Sequence, residues 1–243
     1  MQLNIVILAA GQGKRMNSST PKVLHKLGGV AMLQRVVNTA SSLKPDGIHI
    51  IIGHESDKIK KALPNLMVNW IVQDKQLGTG HAVLQALPHI PKDSLILVLS
   101  GDVPLIQAGT LARLIDITKE NSNALTLLLA TIADPTGLGR ITRNENNEIT
   151  AIVEEKDATN NQKQIKEIFS GISCTTAENF ENWLPKLTND NAQKEYYLTD
   201  IIEIIKINEN IEVDTFNITK DKNHEITGIN TIDQLLELEK LMI

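Results

Sequence analysis

Leu3-Asn4-Ile5-Val6-Ile7-Leu8 runs directly into Ala9-Ala10-Gly11-Gln12-Gly13-Lys14-Arg15-Met16, an apolar segment breaking into a small-residue loop that carries two cations. Ile48–Ile52 and Ser94–Leu99 repeat the near-continuous apolar character, which belongs to strands buried on both faces of a parallel sheet. Between the first two lies Ala31–Leu43, where Met32, Leu33, Val36, Val37, Ala40 and Leu43 recur at helical spacing. A second helix is expected from Thr79 as its N-cap, with Ala82, Val83, Ala86 and Leu87 on one stripe. A third follows Thr110 with Leu111, Leu114 and Ile115. Strand, helix, strand, helix, strand predicts an α/β fold, doubly wound around a mostly parallel sheet of Rossmann type.

Beyond about residue 134 the grammar changes. Arg140–Arg143 and Ile149–Glu155 read as strands of a hairpin joined by the polar turn Asn144-Glu145-Asn146-Asn147. Asp157–Lys166 is polar and reads as a surface excursion. Leu198–Ile205 reads as a helix, and Thr231–Ile243 as another with Ile232, Leu235, Leu236 and Met242 on its apolar stripe. These readings predict one domain over 1–230 and a C-terminal helix over 231–243 that begins a linker. The chain has 24 basic and 29 acidic side chains, a net charge of -5, which argues against a nucleic-acid binder with its clustered positive charge. With 42% hydrophobic residues but only 3% aromatics, the core must be built from Leu, Ile, Val and Ala. Apolar stretches such as Leu125–Ala130 fall far short of the ~20 residues needed to span a bilayer. No secretory signal opens the chain, so a cytoplasmic location is expected. The single Cys174 excludes an internal disulfide and reads as a core thiol. The six histidines show no zinc-like spacing.

The Leu8–Met16 loop sits where a doubly wound fold places its phosphate site, past the carboxyl end of the first strand. Small residues let backbone N–H groups approach anionic oxygens. The dinucleotide fingerprint fails because Met16 stands where its third Gly belongs, and the Walker pattern fails at Leu8 and Arg15. What remains is a loop suited to a triphosphate, with Lys22 in Pro21-Lys22-Val23-Leu24 close behind; each of its cations could equally be a solvated loop charge. Asp102 follows the third apolar run at the ligand-binding edge. It is either a hard oxygen ligand for Mg²⁺ carrying nucleotide phosphates or the cap of the turn before Pro104.

Leu8–Met16 with Pro21–Leu24 resembles the signature of the sugar-phosphate nucleotidyltransferases. The likeness continues through Gln73, Gln76-Leu77-Gly78-Thr79-Gly80-His81-Ala82, Gly101-Asp102-Val103-Pro104-Leu105 and Asp134–Ile141. It extends to Ile152–Asp157, Asn191-Ala192-Gln193 and Glu195-Tyr196-Tyr197-Leu198-Thr199-Asp200. Within that superfamily the set is similar to the N-terminal uridyltransferase domains of bacterial N-acetylglucosamine-1-phosphate uridyltransferases. The resemblance implies transfer of UMP from UTP to N-acetylglucosamine 1-phosphate with Mg²⁺ and release of pyrophosphate, in the service of cell-wall precursor synthesis. Small-molecule substrates are the implied partners, with neither nucleic acid nor membrane. It implies that Leu8, Ala9, Ala10 and Gly11 wrap the nucleotide, that Ser100 and Gly101 bind substrate, and that Gln73, Gly78 and Thr79 read the uracil edge. Gly139 and Glu154 are implied to contact the sugar, and Asn230 to join Asp102 on the metal. Arg15 is assigned to the β/γ-phosphates and Lys22 to the α-phosphate and incoming sugar phosphate.

Three positions depart from the family pattern. Phe169 stands where an Asn holding the N-acetyl sugar is usual, Lys194 where Gly is usual, and Ser100 where some relatives carry Tyr. Bifunctional members continue into a left-handed β-helix that carries an acetyltransferase; this chain has no hexapeptide repeats, and that domain is not expected in it. Two other readings fit the same motifs: a related nucleotidyltransferase using another NTP or sugar phosphate, and a catalytically weak nucleotide-binding regulatory homologue.

Overall fold

The three apolar runs become adjacent parallel strands in the structure, a computed structural model that describes residues 1–121, 125–208 and 213–241. In chain order the elements are β1 (Gln2–Leu8), the short β2 (Lys26–Leu27) and β3 (Val30–Ala31), α1 (Met32–Ser42), β4 (Gly47–Ile52) and α2 (Ser56–Ala62). Then come β5 (Asn69–Val72), α3 (Thr79–Ala86), β6 (Ser94–Ser100), α4 (Ala108–Glu120) and β7 (Leu125–Thr131). The hairpin strands β8 (Gly139–Arg143) and β9 (Ile149–Val153) follow. The chain continues with β10 (Glu167–Thr176), α5 (Ala177–Trp183), α6 (Ile201–Asn208), β11 (Val213–Asn217) and α7 (Ile232–Lys240).

The main sheet has the order β11-β7-β10-β6-β1-β4-β5, with β8 joined to β10 and β9 to β8. Strands β6, β1, β4 and β5 are mutually parallel. The apolar runs alternate their side chains between two cores. Ile5, Ile7, Leu95, Leu97 and Leu99 pack on the side of α1 and α4, while Val6, Ile96 and Val98 pack with α3, α5 and α6. Both faces are therefore dry, which is why no polar alternation was visible. The chain leaves β1 toward β4 on one side and later returns through β6 on the other. The carboxyl ends of β1 and β6 meet at the register pair Leu8 and Ser100, and this switch point is where such sheets open a crevice.

Strand β10 runs antiparallel between β6 and β7, a placement the periodicity did not announce. Its pairing shifts register between Phe169 and Ser173, around Gly171 in the left-handed region at φ 81°. The expected hairpin forms, closed by Asn144, whose Oδ1 accepts the N–H groups of Asn146 and Glu148.

Three local expectations are corrected. Thr79 is not the cap of α3: Gly78 holds that position, and the Thr79 hydroxyl accepts the Leu198 N–H at 2.9 Å, tying the helix to a distant segment. Thr110 lies inside α4, where its hydroxyl donates to Glu225 at 2.6 Å. In α7 the buried stripe is Leu235 and Leu238, packed with Leu27, Met32 and Ile229, whereas Ile232 and Leu236 are exposed and Met242 lies outside the described residues. Thr231 caps that helix through a capping box with Gln234.

Candidate active site

Two loops leave the switch point side by side. The Gly101 N–H binds the Leu8 carbonyl at 2.9 Å, and a Cβ on Gly101 would lie 3.1 Å from that oxygen. Gly13 sits at φ 62°, and a Cβ there would fall 2.6 Å from the Lys22 Cβ, so the loop folds directly onto the lysine stem. Lys22 opens a single helical turn, Lys22–Leu24, and its Nζ donates to Asp102 Oδ2 and, at 2.6 Å, to Asn230 Oδ1. The Arg15 guanidinium donates to the same Asn230 oxygen at 2.8 Å, and the Ser100 hydroxyl donates to Asp102 Oδ1 at 2.6 Å. Five residues from four separate stretches of the chain thus converge on one point. Burial pushes the Asp102 carboxyl up, but the Lys22 ammonium and the Ser100 hydroxyl outweigh it and hold the group below the ordinary carboxylate range.

This cluster forms one end of a cleft of about 490 Å³ whose wall includes Leu8, Ala9, Ala10, Gly11, Lys22, Gln73, Gly78, Thr79, Ser100 and Asp102. Gln73 follows β5 and is 2% exposed; its Nε2 donates to the Gly78 carbonyl at 3.1 Å and to His81 Nδ1 at 2.8 Å. A Cβ on Gly78, at φ 111°, would lie 2.6 Å from the Tyr196 carbonyl oxygen, so the 78–80 turn docks against the Tyr196 segment on bare backbone. A second cavity of about 190 Å³ shares Leu8, Thr79, Ser100 and Asp102 with the first and adds Gly139, Glu154, Phe169, Thr199 and Asn230. The Thr199 hydroxyl donates to Glu154 Oε1 at 3.1 Å. Burial pushes the Glu154 carboxyl up.

Of the residues read as site residues, the structure brings all but two to these cavity walls. Gly101 lies just behind the wall on the Leu8 carbonyl, and Arg15 is exposed, bound to Asn230 at the rim. Lys14, adjacent to Arg15, lines the first cleft in its stead, and Lys156 and Glu195 line it as well. Lys14 stood in the quoted loop as one of its two cations; Lys156 stood in a quoted motif with nothing in its spacing to mark it. The Lys194 side chain is exposed and faces Asp190 at 3.4 Å. Its backbone holds φ 56°, the left-handed region, which is the physical reason for glycine at that place. Phe169 lines the second cavity at 8% exposure and presents an apolar wall there.

Asp200, next to Thr199, has its carboxyl pushed up to about 7 by burial and by the neighbouring Glu203, Glu154 and Asp157. A carboxyl that holds its proton more tightly when folded favours the folded state most at low pH, and that contribution is lost as pH rises through about 7. The Glu154 shift has the same sign. The thermal midpoint of the protein is therefore expected to fall from pH 5 to pH 8, and Asp200→Asn to flatten that slope and raise the midpoint at pH 8. A scanning-calorimetry pH series checks both.

Among the described residues, no helix is long and apolar enough to cross a membrane. A family model of the MobA-like NTP transferase domain matches residues 5–136, a span that holds the loop, Lys22, Gln73 and Asp102. Bifunctional protein GlmU of Legionella pneumophila (strain Corby) is 54% identical over 244 residues, covering 99% of this chain and 52% of its own length. Bifunctional protein GlmU of Coxiella burnetii (strain CbuK_Q154) is 48% identical over 240 residues, with 99% and 52% covered. The chain spans about half the length of the curated relatives it matches. Among solved structures, a UDP-glucose pyrophosphorylase complexed with UDP-glucose shares the fold at a TM-score of 0.77 and 17% identity, covering 100% of this chain and 98% of that one. A putative glucose-1-phosphate thymidylyltransferase from Bacillus anthracis does so at a TM-score of 0.74 and 20% identity, with 98% and 94% covered. Because the matched span takes in more than half of the sequence and the loops that meet at the switch point, the chain belongs to the MobA-like NTP transferase domain family.

Proposed function

We propose that this chain transfers UMP from UTP to N-acetylglucosamine 1-phosphate, releasing pyrophosphate, with Mg²⁺ as its cofactor. The observation that carries the reading is the convergence of Lys22, Arg15, Asp102 and Asn230 where the nucleotide-sized cleft meets the smaller cavity. The likeness to the GlmU relatives over nearly the whole chain supports it.

The nucleophile needs no general base. A phosphate monoester has its second pKa near ~6, so the attacking oxygen is already ionised at neutral pH. The barrier lies in bringing two polyanions together and in stabilising the charge that moves onto pyrophosphate, which is the work of positioning and fixed cations. Lys22, in the larger cleft's wall and bonded to Asp102 and Asn230, suits the α-phosphate and the incoming sugar phosphate. Arg15 at the rim and Lys14 in the cleft wall suit the departing β/γ-phosphates. The Asp102 carboxylate and the Asn230 amide oxygen are hard donors aimed at one point, where the Lys22 ammonium lies between them; this donor set fits Mg²⁺. When bound there, the metal would neutralise phosphate charge. Glu154, held by Thr199 in the smaller cavity, suits acceptance of a sugar hydroxyl proton in a hydrogen bond.

A pyrophosphate-release assay with UTP, Mg²⁺ and N-acetylglucosamine 1-phosphate tests the proposal. Release dependent on both substrates and on the metal is expected, with UDP-N-acetylglucosamine as product. Release only with another nucleotide or another sugar phosphate overturns the named substrates, and nucleotide binding without release overturns catalysis.

A further inference from the structure

His81 is part of neither cavity wall, yet it is bound to Gln73, a side chain of the larger cleft's wall. Its environment fixes its protonation. The Gly78 carbonyl oxygen lies 3.1 Å from Gln73 Nε2. An amide turned over at Gln73 would set oxygen against oxygen there, so the nitrogen must face Gly78. The Gly78 carbonyl cannot step aside. The Gly80 N–H binds the Tyr196 carbonyl at 2.8 Å and the Tyr196 N–H binds the Leu77 carbonyl at 2.7 Å, pinning the turn from both sides. The second hydrogen of Gln73 Nε2 points at His81 Nδ1, 2.8 Å away. That nitrogen must therefore accept, because an Nδ1–H would set two donors face to face. The imidazole proton then sits on Nε2, while the Gln85 amide nitrogen donates to the His81 backbone carbonyl at 3.4 Å. Burial lowers the basicity of His81, in keeping with a neutral ring.

With both amide hydrogens committed, the atom Gln73 has left to offer is Oε1. It makes no hydrogen bond among the described residues and is not sealed from the cleft. We propose that His81 is a positioning residue that locks the Gln73 amide so that Oε1 faces the nucleobase, which selects a base offering an imide N–H at that point. The inference rests on the reading of the cleft as a nucleotide site and deepens it. Uracil and thymine carry the N3–H that this oxygen accepts, while cytosine presents a lone pair at the same ring position and is repelled.

Titration calorimetry with UTP and CTP on the full chain, without acceptor sugar, and long-range proton–nitrogen spectra of the histidines test the lock. The wild type is expected to show His81 with Nε2 protonated and Nδ1 bare. His81→Phe, which removes the acceptor, is expected to weaken UTP binding by about tenfold and to shrink the preference for UTP over CTP by a similar factor. His81→Asn, whose Oδ1 can accept in place of Nδ1, is expected to restore both. An Nδ1-protonated His81, or a His81→Phe variant with unchanged preference for UTP, overturns the proposal. If the Phe variant does not fold, a failure of His81→Asn to keep the preference does the same. These readouts need no turnover, so absence of pyrophosphate release in the wild type would count against the transferase reading alone.

Discussion

Lys22→Ala is expected to lower the rate of nucleotidyl transfer by about 10²–10³ while the protein stays folded, by analogy with removal of one preorganised group from a transition-state site. The ammonium is bonded to Asp102, which lines both cavities, and to Asn230, which lines the smaller one, and so stands where the proposed mechanism brings the donor and acceptor phosphates together. The neighbouring cations are placed differently: the Arg15 guanidinium donates to the shared Asn230 oxygen and not to Asp102, and Lys14 lines the cleft wall. The fold does not depend on the charge. The lysine stem packs on Gly13, the following Val23 is the buried member of the turn, and Asp102, its side chain 20% exposed, keeps its bond from Ser100. Lys22→Arg is not expected to rescue, because a planar fork cannot take the place of a compact ammonium between two oxygens. Steady-state kinetics beside far-ultraviolet circular dichroism check this, and near-normal kcat in Lys22→Ala would remove Lys22 from the mechanism.

The parts of this site that follow a buried strand were legible before any coordinates. β1 and β6 are apolar on both faces, so their ends are sharp in the sequence, and the loop from Ala9 and the Gly101-Asp102 turn announce themselves as the rim. The helices on the α1 face read equally well because their stripes meet a flat dry sheet. What stayed hidden depends on contacts between residues far apart in the chain. Thr79 has the chemistry of a cap, but a tertiary bond to Leu198 took its hydroxyl, and Thr110 spends its own on Glu225. β10 carries Gly171 and a register shift in its middle, which breaks the period that would have revealed it. Nothing local marks Asn230 as a member of the cluster: it lies 208 residues from Lys22, and the resemblance rather than the spacing pointed to it. His81 was visible in a motif and silent, since its role depends on where Gln73 and Gly78 end up in space.

Asp102→Asn tests the other half of the Lys22 pair and separates charge from shape. The amide keeps the size of the carboxylate and can still accept from Ser100, so the fold should tolerate it with a loss of about 1 kcal/mol in a denaturant series, in the range of a partly solvated ion pair. Transfer should nonetheless fall by about 10²–10³, because the anionic donor of the proposed metal position is gone and Lys22 loses the partner that aims it. Divalent-ion affinity, read by Mn²⁺ titration in the presence of UTP, should fall with it. The double variant Lys22→Ala with Asp102→Asn decides whether the two side chains act as one unit. If they do, its rate lies close to that of the worse single variant, since each deletion already removes the shared geometry. Strictly additive losses would mean that Lys22 serves the phosphates and Asp102 the metal independently, and that their contact has no part in the transfer.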